Sequence, residues 1–222
     1  HRVDRRQRQM CIRDRFMSKK KKIIVNDTVE LQNHLLITNI LLGDAKYLSY
    51  NANAMLLCDN ETTLFIKHNQ FLVNVRKIFF RQCIIELYKL FSNSDDDNYC
   101  ISKLLNFLLK DSNNPIWGGN IPIDDIQILL DELDTEANQK RVKDIRIIRN
   151  TLYAHTAKTR PKSKMEVLHT DISVLIEFGE RVVDILSKKI WNRPMPKFGY
   201  VFRDARPFLD KCITCLLYTS DA

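Results

Sequence analysis

The chain has 222 residues, 45% hydrophobic and 28% charged, a balance that supports one packed domain and excludes wholesale disorder. Five glycines and six prolines exclude collagen-like, linker-rich and many-stranded all-β architectures. No apolar run reaches the roughly 18 to 20 residues of a membrane helix, and no signal-peptide core opens the chain, so no membrane association is expected. The net charge of +8 is concentrated near the start: residues 1–15 hold six Arg and two Asp, and Lys19 to Lys22 follow. The remainder is close to neutral, so the basic balance reads as a property of the N-terminal arm.

Both ends read as foreign to the fold. The string QMCIRDR (Gln9 to Arg15) and the string CLLYTSDA (Cys215 to Ala222) resemble translated sequencing-adapter read-through. Residues 1–16 and 215–222 are therefore expected to be non-native, with 17–26 a basic arm starting at Met17, 27–190 a helical domain, and 191–214 an aromatic, Pro-containing tail. This weakens the CxxC formed by Cys212 and Cys215, because one thiol lies in the suspect end and no second CxxC completes a four-ligand site. Outside the suspect ends Cys58, Cys83, Cys100 and Cys212 are scattered without framework spacing, which fits reduced thiols and a cytoplasmic location.

In chain order, Asp27 or Thr28 can cap a helix carrying Val29, Leu31, Leu35, Leu36, Ile40 and Leu42 at helical spacing. Gly43-Asp44 predicts a break or kink, with a second helix to about Leu57. Glu61 to Phe91 contains no Gly or Pro and predicts one helix of about 30 residues, roughly 45 Å long. The acidic run Ser92 to Asn98 ends it and opens a helix over Cys100 to Leu109; the acids suit the positive end of a helix dipole, with a metal–carboxylate site as the alternative. Lys110 to Pro122 is a loop whose Gly118-Gly119 lacks the context of a phosphate-binding motif. Ile123, Ile126, Leu129, Leu130 and Leu133 form one apolar stripe. A polar bridge, DTEANQKR, precedes a second stripe of Val142, Ile145, Ile148 and Leu152. A last helix spans about Met165 to Ile190. The class is all-α, a bundle of four to five main helices.

The chemistry-bearing motif is RNTLYAH, Arg149 to His155, at the C-terminal end of the second stripe. Arg offers a permanently charged fork that fits a phosphate and favours charge growing in a transition state. His titrates near neutrality and can move a proton. RNA carries its own nucleophile in the 2′-hydroxyl, so this pair needs neither metal nor other cofactor. Asn150 can orient the phosphate or either partner through its amide. Six residues at about 100° each set Arg149 and His155 roughly 120° apart on an ideal helix. Either the helix distorts, or two copies meet across a two-fold axis and pool their side chains. Lys158, Arg160, Lys162 and Lys164 follow in a loop without acids, suited to RNA phosphates, and Tyr153 can stack on a base. Each residue also has a plainer reading. His155 can cap a helix C-terminus, Arg149 can pair with Asp144 or Glu180, the loop can be merely solvated, and Tyr153 can belong to the core. His34, His68 and His169 read as ordinary helix residues.

The motif and its placement resemble the HEPN superfamily, whose members carry an Arg, a polar residue, several others and a His. The closer likeness is to its abortive-infection AbiU-like branch, over about Phe71 to Ser187. FFRQCIIELYKLFSNSDDDNYCISKLLNFL resembles that branch's long helix, polar link and next helix, KRVKDIRIIRNTLYAHTAK its motif helix, and DISVLIEFGERVVDIL its last helix. Thr156-Ala157 stand where the branch often has a charged residue. The resemblance implies a dimeric helical bundle and, in active members, a metal-independent RNase or toxin of a defence or toxin–antitoxin system. Arg149 and His155 would be catalytic, with Asn150 the polar position between them. Partners would be a second copy, RNA and an antitoxin or nucleotidyltransferase. The alternative is a non-catalytic helical module that dimerises and binds RNA, protein or such a nucleotidyltransferase.

Overall fold

The computed structural model describes residues 28–55, 60–92, 99–110, 123–150 and 169–191, with 194 and 211. Seven helices fill these segments: α1 (Thr28–Ala54), α2 (Asn60–His68), α3 (Gln70–Phe91), α4 (Ile101–Lys110), α5 (Ile123–Leu133), α6 (Glu136–Ile148) and α7 (His169–Trp191). No strand occurs among the described residues, so the protein is all-α as its hydrophobic periodicity predicts. The end segments 1–16 and 215–222, the arm 17–26 and most of the tail lie outside them.

Two helix boundaries differ from the sequence expectation, each for a local reason. Gly43 does not break α1, which runs unbroken from Thr28 to Ala54. Glycine inside a helix costs about 1 kcal/mol relative to alanine. Burial of Leu31, Leu35 and Leu42 along the same helix outweighs that cost, at about 1.5–3 kcal/mol per side chain. Conversely, the apolar stretch from Glu61 to Phe91 is not one helix. Asn69 adopts an extended backbone (φ −96°, ψ 102°), and its Oδ1 accepts from the backbone N–H groups of Phe71 and Leu72 at 3.0 and 3.2 Å. Its own N–H donates to the Phe65 carbonyl at 3.0 Å. One asparagine thus closes α2 and caps α3, satisfying donors that a helix start otherwise leaves unpaired.

The polar bridge between the two apolar stripes is largely helical. Thr135 caps α6, accepting from the Asn138 N–H, and its hydroxyl donates to the Glu132 carbonyl at 2.8 Å. The Asn138 and Gln139 side-chain amides donate to the Glu132 and Leu133 carbonyls at 2.8 and 3.0 Å. The last carbonyls of α5 are therefore satisfied by the first turn of α6, which locks the joint between them.

α3 packs on α1, α6 and α4, while α7 packs on α1 and α6. One apolar core joins them, including Leu35 and Leu42 from α1, Ile84 and Leu87 from α3, and Phe178 and Val182 from α7. α4 contributes Ile101, Leu104, Leu105 and Leu108, a complete i, i+3, i+4, i+7 face. At Gly179 α7 lies close against α1: a Cβ there would lie 2.5 Å from Leu42 Cδ2. A smaller cluster of Met55, Ile66 and Leu72 seats α2 at the other end. No helix among the described residues is long and apolar enough to cross a membrane.

Candidate functional site

Arg149 follows the last residue of α6. Its backbone N–H donates to the Ile145 and Arg146 carbonyls, and the chain widens into a π-type turn at Arg149-Asn150. Such a turn distorts the helix inside the RNTLYAH motif itself, and π turns are frequent at functional sites. The Arg149 guanidinium lies over the Tyr88 ring of α3, with Cζ 4.5 Å from the ring centroid. Its Nη1 donates to Asn150 Oδ1 at 2.8 Å. All three side chains are half-buried.

This geometry separates the roles of the amide atoms. The Asn150 carbonyl oxygen is engaged by Arg149, so its NH2 group supplies the donors it can offer to a ligand. Tyr88 covers one face of the guanidinium plane, where the ring quadrupole attracts the cation. The remaining edge N–H groups are the part of the fork suited to the oxygens of a tetrahedral oxyanion such as phosphate. The pairing of Arg149 with Glu180 does not occur: Glu180 binds Lys46 at 2.7 Å. Among the described residues, no carboxylate lies within ion-pair distance of Arg149. His155, Tyr153, Lys158, Arg160, Lys162 and Lys164 lie outside the described residues.

Farther along the α3, α6 and α7 junction, Arg141 Nε donates to Asp171 Oδ1 at 2.9 Å and its Nη1 to Asn138 Oδ1 at 2.9 Å. That bridge ties α6 to the first turn of α7 and fixes the helix that carries Arg149. Next to it, His169 packs edge-on against Phe80, with centroids 5.3 Å apart, and its Nδ1 is buried without a hydrogen-bond partner. Burial, and then the charge of Arg76, hold this imidazole below its ordinary pKa of 6.5. His34 of α1 is likewise more than an ordinary helix residue. It is 6% exposed, its Nε2 has no partner, and burial pushes its pKa down to about 4, opposed by a hydrogen bond with the Tyr99 backbone. His34 is therefore neutral at pH 7.

The charge of the folded body is segregated rather than uniformly neutral. α3 carries Arg76, Lys77, Arg81 and Lys89 against one carboxylate, Glu86, which is buried. Its neighbour α6 exposes Lys140, Lys143 and Arg146 alongside Glu136, with Asp144 half-buried. α5 instead carries Asp124, Asp125, Asp131 and Glu132 and no cation. Reading the body as near-neutral therefore misses an excess of cations on two helices, α3 and α6, that pack together.

Tyr88 is the site residue that sequence reasoning missed. It lies 61 positions before Arg149 and belongs to no motif. Among the described residues, no group of three or more His, Cys, Asp and Glu is placed to hold a metal ion; the acidic run at 93–98 lies outside them. No protein-family model, curated protein or solved structure matches the chain significantly. Fold and site thus define an all-helical protein with a ring-backed guanidinium at the end of a cationic helix pair.

Proposed function

We propose that the protein is a HEPN-type, metal-independent endoribonuclease or toxin of a prokaryotic defence or toxin–antitoxin system, acting as a homodimer. The observation that supports this reading is the Arg149–Asn150 pair of the RNTLYAH motif set against Tyr88 of α3, at the end of a helix packed on the cation-rich α3. Arg149 binds and polarises the scissile phosphate. Asn150, with its carbonyl engaged by Arg149, donates its amide hydrogens to a phosphate oxygen. His155 takes the proton of the ribose 2′-hydroxyl, or delivers one to the leaving 5′-oxygen. The second copy supplies another Arg149 and His155 to the same cleft, which answers the angular offset between the two residues. Lys158, Arg160, Lys162 and Lys164 hold the flanking phosphates, and Tyr153 stacks on a base.

The test is direct. Purified protein cuts RNA in excess EDTA, whereas Arg149→Ala and His155→Ala each abolish cutting and leave helical circular dichroism unchanged. Full cutting by either variant removes the assignment. A second reading is favoured by the same contact: a guanidinium already engaged by Tyr88 and Asn150 can be structural. On that reading the protein is a non-catalytic module binding RNA, an antitoxin or a partner nucleotidyltransferase, and wild-type protein binds without cutting.

A further inference from the structure

α3 leaves an apolar stripe uncovered. Phe71 is 69% exposed and Ile78 61% exposed, and Ile85, half-buried, continues the same seven-residue spacing. Seven residues are two helical turns, so these side chains stand in line about 10.5 Å apart, the spacing of a seam between packed helices. Lys77 and Arg81, both exposed, flank Ile78, and the one carboxylate of α3 is buried. The stripe is apolar at its centre and cationic at its rim.

Charge decides between the occupants such a face could take. A nucleic-acid backbone would use the cations but leave two large hydrophobic side chains against water. A second α3 would bury the apolar stripe but oppose like charges. The outer face of α5 matches both features. Ile128 is 62% exposed, and Asp124 and Asp131 lie exposed one turn to either side of it. Within the chain Asp125 pairs with Lys189 at 3.6 Å and Glu132 with Arg181, while Asp131 Oδ1 accepts from the Gln127 amide at 2.7 Å and keeps its charge on the exposed face.

We infer that two copies of this chain associate through α3 of one and α5 of the other, Ile128 packing at Ile78 and the acids of α5 meeting Lys77 and Arg81. Used reciprocally, the contact occurs twice in a closed pair. The inference rests on the paired-subunit reading proposed above and assigns it a surface.

Charge reversal tests it, read as mass in solution by light scattering over a dilution series. The 222-residue chain should have twice its single-chain mass of 26.2 kDa. Reversing α3 (Lys77→Glu with Arg81→Glu) or α5 (Asp124→Lys with Asp131→Lys) should raise the midpoint of dissociation more than about tenfold, because like charges then meet across the contact. Mixing the two variants should restore a pair containing one of each. Ile78→Ser should also weaken association while helical circular dichroism is retained. A wild type of single-chain mass at every concentration would overturn the contact and leave the stripe to an acidic helical partner. So would reversals without effect, or a mixture that does not reassemble. Protein that pairs this way but cuts no RNA sinks the catalytic proposal alone. Protein that cuts RNA as a pair indifferent to the reversals sinks this contact alone.

Discussion

Replacing Tyr88 by leucine keeps an apolar side chain on α3 and removes the ring face beneath Arg149. With Cζ 4.5 Å from the ring centroid, the contact lies well within cation–π range. Such contacts contribute about 0.5–1 kcal/mol when exposed and about 2 kcal/mol when desolvated. Both partners here are half-buried, which places the value near 1 kcal/mol. That is roughly a fivefold change in any equilibrium that needs Arg149 in its present orientation. Two readouts check it independently. The first is the Arg149 Nε–Hε NMR signal, which the ring current shifts upfield in the wild type. It should stay shifted in Tyr88→Phe and return toward the free-arginine position in Tyr88→Leu. The second is affinity for a short single-stranded RNA, expected to fall about fivefold in Tyr88→Leu and hardly at all in Tyr88→Phe. A leucine variant with the arginine signal unmoved and affinity unchanged would refute the claim that the ring holds the guanidinium.

Other consequences of the fold are open to the same treatment. Asn69→Ala removes the acceptor shared by the Phe71 and Leu72 N–H groups and should cost about 1 kcal/mol, lowering Tm by about 2–4 °C in a calorimetric scan. Gly179→Val drives a branched side chain into Leu42 and should destabilise by about 1–3 kcal/mol in urea unfolding, with the α1–α7 contact loosened. His34 is neutral in the fold down to about pH 4, whereas in the unfolded chain it takes up a proton below about pH 6.5. Stability should therefore be fully present above pH 6.5, decline as pH falls toward 4, and change no further from this group below that. The displacement sets an upper limit of about 3 kcal/mol. His34→Leu should flatten that slope and leave the protein more stable than wild type at pH 5, as measured by urea midpoints.

The all-α class and most core positions were legible because burial imposes a helical period on the chain: of the stripe Ile123, Ile126, Leu129, Leu130 and Leu133 read from the sequence, the last four form one buried face, while Ile123 at the helix start is 46% exposed. Helix boundaries were less legible, since they turn on individual polar atoms. Gly43 resembles a stop, yet burial along α1 overrides it. Asn69 gives no composition signal, yet its carbonyl oxygen redirects the chain. Thr135, Asn138 and Gln139 read as a polar bridge because their caps and amide bonds depend on where α5 ends. At the site, Arg149 and Asn150 were legible as neighbours with complementary donors and acceptors. Tyr88 was not, because only tertiary packing of α3 on α6 brings it under the guanidinium. The excess of cations on the packed pair α3 and α6 was hidden for the same reason, as net charge averages over all helices.

The central claim is that Arg149 and His155 act together on a phosphodiester whose nucleophile is the neighbouring ribose hydroxyl. Its most direct measurement is the chemistry of the cut ends after RNA is incubated with the protein in excess EDTA. The account predicts fragments ending in a 2′,3′-cyclic phosphate and beginning with a 5′-hydroxyl, absent with His155→Ala. Fragments bearing 5′-phosphates, or intact RNA at any concentration of wild-type protein, would contradict it.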